Sequence, residues 1–269
     1  MSEANPLQFS TPKDVAETSL FSFHPLFYLY FMLSFFFVPY PLYRWIATRY
    51  KWELNTKSVA RHCSDIMLGM NYGLILFTFG NYTHTFSWIT VVAFYPSLFG
   101  YGLIAELPYA KQSLPNIKHW PKGMWVIFLT ALGVILAFAG VHIYFASQLE
   151  MPFIVYYVCS LLIPIFFFAT AFLLKKEVNQ NWLRTFYVTR ISRRQILDTE
   201  DGQPKNGTIP SPYAHTISIH LHHWQIFYVL AFFTRFTHPV SQVAAGIVIA
   251  CYMQGICAYG YDHLVNDNM

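Results

Sequence analysis

The chain has 269 residues, 55% of them hydrophobic and only 11% charged, with a formal net charge of +4. Ordinary soluble domains carry roughly 45–50% apolar and 25% charged residues. So much apolar surface at this length excludes a typical water-soluble globular domain and makes lipid the expected solvent.

The first 22 residues are polar and carry Glu3, Asp14 and Glu17, with no arginine and no basic n-region. That pattern argues against a cleaved secretory signal and against an amphipathic transit peptide. Runs long enough to cross about 30 Å of hydrocarbon need roughly 20 residues. They fall near 24–46, 64–82, 86–106, 123–147, 152–174, 218–236 and 240–261. The expected fold is an all-α integral membrane protein, a seven-helix transmembrane bundle. Its sixth span is the weakest, because histidines occupy its first turn. The short Asn81 to Thr85 link would also let 64–106 be one broken unit, so six spans is the alternative count.

Lys and Arg are retained on the cytoplasmic side of membrane proteins. With seven spans, 15 basic residues fall on one side, from Arg44 to Lys205, and only Lys13 and Arg235 on the other. This places the N-terminus outside and the C-terminus in the cytosol. The organisation is then a polar N-terminal segment (1–22), transmembrane helices one to five (23–174), a basic cytosolic connection (175–217), a transmembrane hairpin of helices six and seven (218–263) and a C-terminal tail (264–269). The outside links NYTHT, QLEMP and THP are so short that the helices they join must pack as antiparallel hairpins. Asn81-Tyr82-Thr83 matches the glycosylation pattern, but too close to the bilayer for modification to be expected.

The basic connection opens with KKEVNQNWLRTFYVTRISRR, six basic residues against one acid with Trp182, Phe186 and Tyr187 interleaved. Such a pattern suits an interfacial helix on anionic lipid, a docking surface for a partner, or simple positive-inside retention. EDGQPKNGTIPSP follows, with turn dipeptides and three prolines that forbid a continuing helix. The four cysteines show neither metal-type nor disulfide-framework spacing.

Ionisable groups within a bilayer usually face the bundle interior. His62, Asp65, Glu106, His119, the HLHHW group at 220–224, Asp262 and His263 all map to the cytosolic end. On a continuous sixth helix, His220 and His223 share one face and His222 points away. The THP hairpin would bring them beside Asp262 or His263. Cys251, Gly255, Ala258 and Asp262 form a stripe of small residues that permits close helix packing.

These positions support three readings. The first is a metal-dependent, lipid-modifying enzyme, with His220, His223, Asp262 and His263 holding zinc or iron and Asp65 or Glu106 as the general base acting on bound water. The second is a non-catalytic structural or accessory subunit of a membrane complex. The third is a transporter or haem-binding redox protein. Expected partners are membrane lipids and other membrane subunits, with no nucleic acid.

The architecture resembles seven-span lipid hydrolases such as alkaline ceramidases and adiponectin-receptor-like proteins, but their S-x-x-x-H and H-x-x-x-H motifs are missing at the required spans. One dense cluster is also too few histidines for the repeated boxes of membrane desaturases. HLHHW followed about thirty residues later by QGICAYGYD resembles a box in uncharacterised multi-pass proteins of fungi and protists. This covers roughly the last fifty residues. The resemblance implies a shared membrane site and no particular activity.

Overall fold

The computed structural model describes residues 21–110, 118–187, 190 and 212–268. The polar residues 1–20, Lys111, Arg193, Arg194, Lys205, Asn206 and the turn-rich stretch through 211 lie outside the described residues. The chain divides into two compact units, one formed by the residues up to Val158 together with His222–Asp262, the other by Cys159–Leu221 with His263 onward.

In the first unit, α1 (Pro25–Met32) runs through a π-helical turn (Leu33–Phe37) into α2 (Pro39–Arg49). Pro39 has no N–H and its ring would strike the carbonyl four residues back, so the backbone widens by one residue there. Val38 N accordingly donates to Leu33 O. Then come α3 (Val59–Phe79), the single turn α4 (Tyr82–Thr85), α5 (Trp88–Ala105) and α6 (Lys122–Ser147). α7 (Met151–Gln180) begins in this unit, and α8 (His223–Ala231) and α9 (Pro239–Ala258) complete it.

Among the described residues five helical stretches are long and apolar enough to cross a membrane: Pro25–Arg49, α5, α6, α7 and α9. α3 has 21 residues, hence about 31 Å, but its first half carries Arg61, His62 and Asp65 and is too polar to join them. The stretch expected as a sixth span is not one helix. α8 has only nine residues, about 13.5 Å at 1.5 Å per residue, and 232–238 is irregular.

Apolar content suggested continuity there; side-chain partners decide against it. Tyr82 Oη donates to Ala231 O (3.1 Å) and Asn81 Nδ2 to Arg235 O (3.0 Å), while Phe236 N finds Ser241 Oγ (3.3 Å). Irregular backbone away from water needs partners of this kind within the protein. Thr234, Arg235 and Phe236 are all buried.

α9 is the central helix. In its apolar window 78% of residues are buried, against 6% for α6 and 6% for α7. It packs most extensively on α5 and next on α8. The close approach to α5 depends on Gly246: a Cβ there would lie 2.6 Å from Thr90 O and 2.8 Å from Ala93 Cβ. α8 and α9 are thus in contact, but α5 is the larger neighbour of α9.

The second unit holds the later part of α7, a short helical stretch at 182–187, and a two-stranded antiparallel ladder of β1 (Thr216–Ile219) and β2 (Val265–Asn268), registered Thr216↔Asn268 through Ile219↔Val265. The segment read as a free C-terminal tail thus includes a strand. On its other edge β1 meets Asn179, whose amide donates to Ile217 O and accepts from Ile217 N, both at 2.8 Å.

Gly246→Leu should wedge α5 from α9, since overpacking typically costs about 1–3 kcal/mol. A lowered thermal midpoint in detergent is expected, and an unchanged midpoint would contradict the close contact.

Candidate functional site

The last carbonyls of a helix have no partner within it. At the end of α9 those groups are met by cations from α2 and the α2–α3 connection and by a backbone amide of that connection. Arg44 Nη1 donates to Cys257 O (2.7 Å), Lys57 Nζ to Ile256 O (2.9 Å) and Asn55 N to Ala258 O (3.0 Å). Lys51, in the left-handed region at φ 57°, turns the chain sharply after α2. Ser58 then caps α3 by accepting from Arg61 N at 3.2 Å.

The counter-charge is Asp65. Its carboxylate takes Lys57 Nζ at 2.7 Å and Arg61 Nε at 3.4 Å, with Lys57 and Asp65 side chains 1% and 0% exposed. Tyr40 Oη (3.4 Å) and Tyr261 N (3.2 Å) also donate to it. Gly260, at φ 99°, lets the chain pass over this pair: a Cβ there would lie 2.9 Å from Asp65 Oδ2. Burial pushes the Lys57 ammonium below the ordinary lysine range, and the Asp65 carboxylate draws it back up.

The other sequence-derived candidates are placed as follows. Asp262 pairs with Arg61 Nη2 at 2.8 Å, both about one-third exposed. Glu106 Oε1 accepts from Glu53 N at 2.7 Å, tying the end of α5 to the same connection. His62 Nδ1 lies 2.9 Å from Tyr40 Oη. His223 Nε2 faces Gln254 Oε1 at 3.2 Å, and Gln254 Nε2 donates to Tyr43 Oη at 3.1 Å. That ring stands between the edges of Tyr101 and Tyr259, directly over Gly255, where a Cβ would be 2.7 Å from Nε2.

His220 and His223 do not share a helical face. α8 begins only at His223. His222 precedes it and donates its N–H to Gln225 Oε1 at 3.1 Å, while His220 is extended and its N–H bonds Leu264 O at 2.9 Å, prolonging the ladder. The reason is competition for the backbone: the β1–β2 pairing takes the residues before His222, so helical periodicity starts too late to include His220. His220 and His263 belong to the second unit, and His223 and Asp262 to the first. Among the described residues no group of three or more His, Cys, Asp or Glu side chains comes together to hold a metal ion.

A second polar centre lies at the other end of the first unit. His142 on α6 contacts Phe138 O through Nδ1 (2.7 Å), which leaves Nε2 to accept from Ser241 Oγ on α9 (2.9 Å). A hydroxyl facing an imidazole is the geometry of an activated nucleophile. Here, however, Ser241 is completely buried and its oxygen also accepts from Phe236 N, so the pair locks α6 to α9. Arg235 lies 4.7 Å over the Tyr156 ring. Asn81, of the glycosylation pattern, is fully buried.

No protein-family model, no curated protein and no solved structure matches this chain. The site is therefore read from its chemistry alone. A general base needs a free lone pair directed at the proton it takes, whereas Asp65 already accepts from four donors. Sequence reasoning placed Asp65, Glu106 and Asp262 at one end of the bundle, and they are there. It missed Arg44 and Lys57 as helix-capping cations, because they lie 213 and 199 positions from the carbonyls they meet and local spacing carries no signal for such a contact.

Removing one partner of a buried ion pair typically costs about 3–5 kcal/mol, while replacing both by apolar residues costs far less. Lys57→Met and Asp65→Leu should each destabilise strongly, and the double variant should be more stable than the sum of the single losses predicts. Thermal or chaotrope unfolding in detergent measures the cycle, and strict additivity would refute the pairing.

Proposed function

We propose that this chain is a polytopic membrane protein acting as a non-catalytic structural or accessory subunit of a larger membrane assembly. In this reading the chain crosses seven times, with its N-terminus outside and its C-terminus in the cytosol. The sixth crossing is the short helix α8 followed by irregular backbone buried within the protein. The 15-to-2 distribution of Lys and Arg supports the orientation.

The observation that carries the reading is α6. It is a 26-residue apolar helix, bound to α9 through His142, and only 6% of its apolar window is buried. Gly133, Ala137 and Gly140 are exposed, and at 100° per residue they lie about 180° around the helix from His142. Among the described residues nothing lies within 4 Å of a Cβ placed at Gly133 or Gly140. Small residues spaced three to four apart let transmembrane backbones approach closely, so this outward face suits another helix. The groups expected to do chemistry support the same reading from the other side, because Asp65, Asp262, Glu106 and His223 are each engaged in contacts that join segments of the fold.

Two measurements test it. Gly133→Leu with Ala137→Leu should leave folding intact yet abolish recovery of a stoichiometric complex after mild-detergent purification; a wild-type chain that purifies only as a monomer sinks the subunit reading. Zinc and iron content should be well below one per chain and equal in wild type and in a His220→Ala/His223→Ala variant. Stoichiometric metal that the double variant loses would restore the zinc or iron enzyme.

A further inference from the structure

The apolar part of α7 ends at Leu174 and is followed by Lys175, Lys176 and Glu177. At Asn181 the backbone enters the left-handed region (φ 50°), which ends α7, and a helical stretch resumes at 182–187. Its start is held by the preceding helix: Glu177 Oε2 accepts from Leu183 N at 2.6 Å, and Glu177 Oε1 lies 3.8 Å from Arg184 Nε. Glu177 is the single acid in the sequence 175–190, and it is engaged by a backbone amide and by Arg184.

On the resumed helix, Trp182, Leu183, Phe186 and Tyr187 fall within an arc of about 140°. They are 36%, 55%, 46% and 65% exposed. Cations flank that face. Lys176 Nζ lies 4.2 Å over the Trp182 ring, the Arg190 guanidinium 4.7 Å over Phe186, and the rings of Trp182 and Phe186 are stacked. Aromatic rings bordered by lysine and arginine are the side-chain set that partitions at the headgroup level, with the rings at the acyl boundary and the cations on phosphate and carboxylate. Basic residues near an anionic surface contribute about fivefold each to binding.

We propose that residues 175–187 together with Arg190 form an interfacial anchor that recognises anionic phospholipid headgroups in the leaflet where α7 emerges. The aromatic face enters the boundary, while Lys175, Lys176 and Arg190 meet the phosphates. The proposal rests on the membrane-crossing reading and is independent of the subunit reading.

The test reconstitutes the full chain into nanodiscs of phosphatidylcholine alone and into nanodiscs containing phosphatidylserine, and follows hydrogen exchange of the 182–187 amides. Exchange should be several-fold slower in the anionic discs, and raised salt should abolish that protection. Lys175→Gln with Lys176→Gln should weaken it about fivefold per charge removed. Equal exchange in both lipids, protection insensitive to salt, or protection only when a co-purified protein is present would overturn the anchor. Failure of the chain to enter nanodiscs at all would instead overturn the membrane reading. The salt series on the wild type keeps the test decisive if the double variant does not fold.

Discussion

The end of α9 has to satisfy its last carbonyl groups in a place where the surrounding side chains leave little room for water. Everything at that end of the first unit follows from this requirement. Arg44 and Lys57 arrive as donors, and bringing them in creates a second requirement, because a buried ammonium needs a counter-charge. Asp65 supplies it, Tyr40 and the Tyr261 amide complete its coordination, and Gly260 is the residue whose backbone can pass close enough to close the cluster. Three segments, the α2–α3 connection, α3 and the chain after α9, are joined by one charge network.

The opposite end of that unit solves a related problem without charge pairing. The chain between α8 and α9 leaves helical geometry, so its backbone groups depend on side chains. Asn81 and Tyr82 are held in position by the sharp left-handed turn at Asn81 (φ 64°), and they deliver an amide and a phenol to Arg235 O and Ala231 O. Ser241 serves both the Phe236 amide and His142. The link NYTHT, short enough to be read as a plain hairpin turn, is thereby a structural part of the α8–α9 connection. The two ends together leave α9 enclosed, while α6 and α7 present apolar surface nearly all round.

The histidine box shows where one-dimensional reading stops. HLHHW looked like a single helical motif because its apolar continuation has helical length and composition. Three different structural fates divide it: His220 in an extended stretch beside Leu264, His222 ahead of the helix, and His223 on the helix against Gln254. Sequence spacing carried no information about this, since the division is imposed by pairing between β1 and β2, whose residues are nearly fifty positions apart. Gln254 was visible as a polar residue two turns above Asp262, but its role as the bridge from His223 to Tyr43 depends on α2 lying against α9.

Composition and spacing by themselves determined that this is a helical protein with several apolar helices of bilayer-crossing length, and that Asp65, Glu106 and Asp262 gather at one end of the first unit. These properties are local or additive, so they survive without knowledge of neighbours. Tertiary structure alone decided that the acids are bound by lysine, arginine and backbone amides, that the sixth segment is broken, and that α9 rather than the histidine box is the centre of the fold. Each of those outcomes turns on which distant group reaches an unsatisfied carbonyl or charge first, and that is a property of packing.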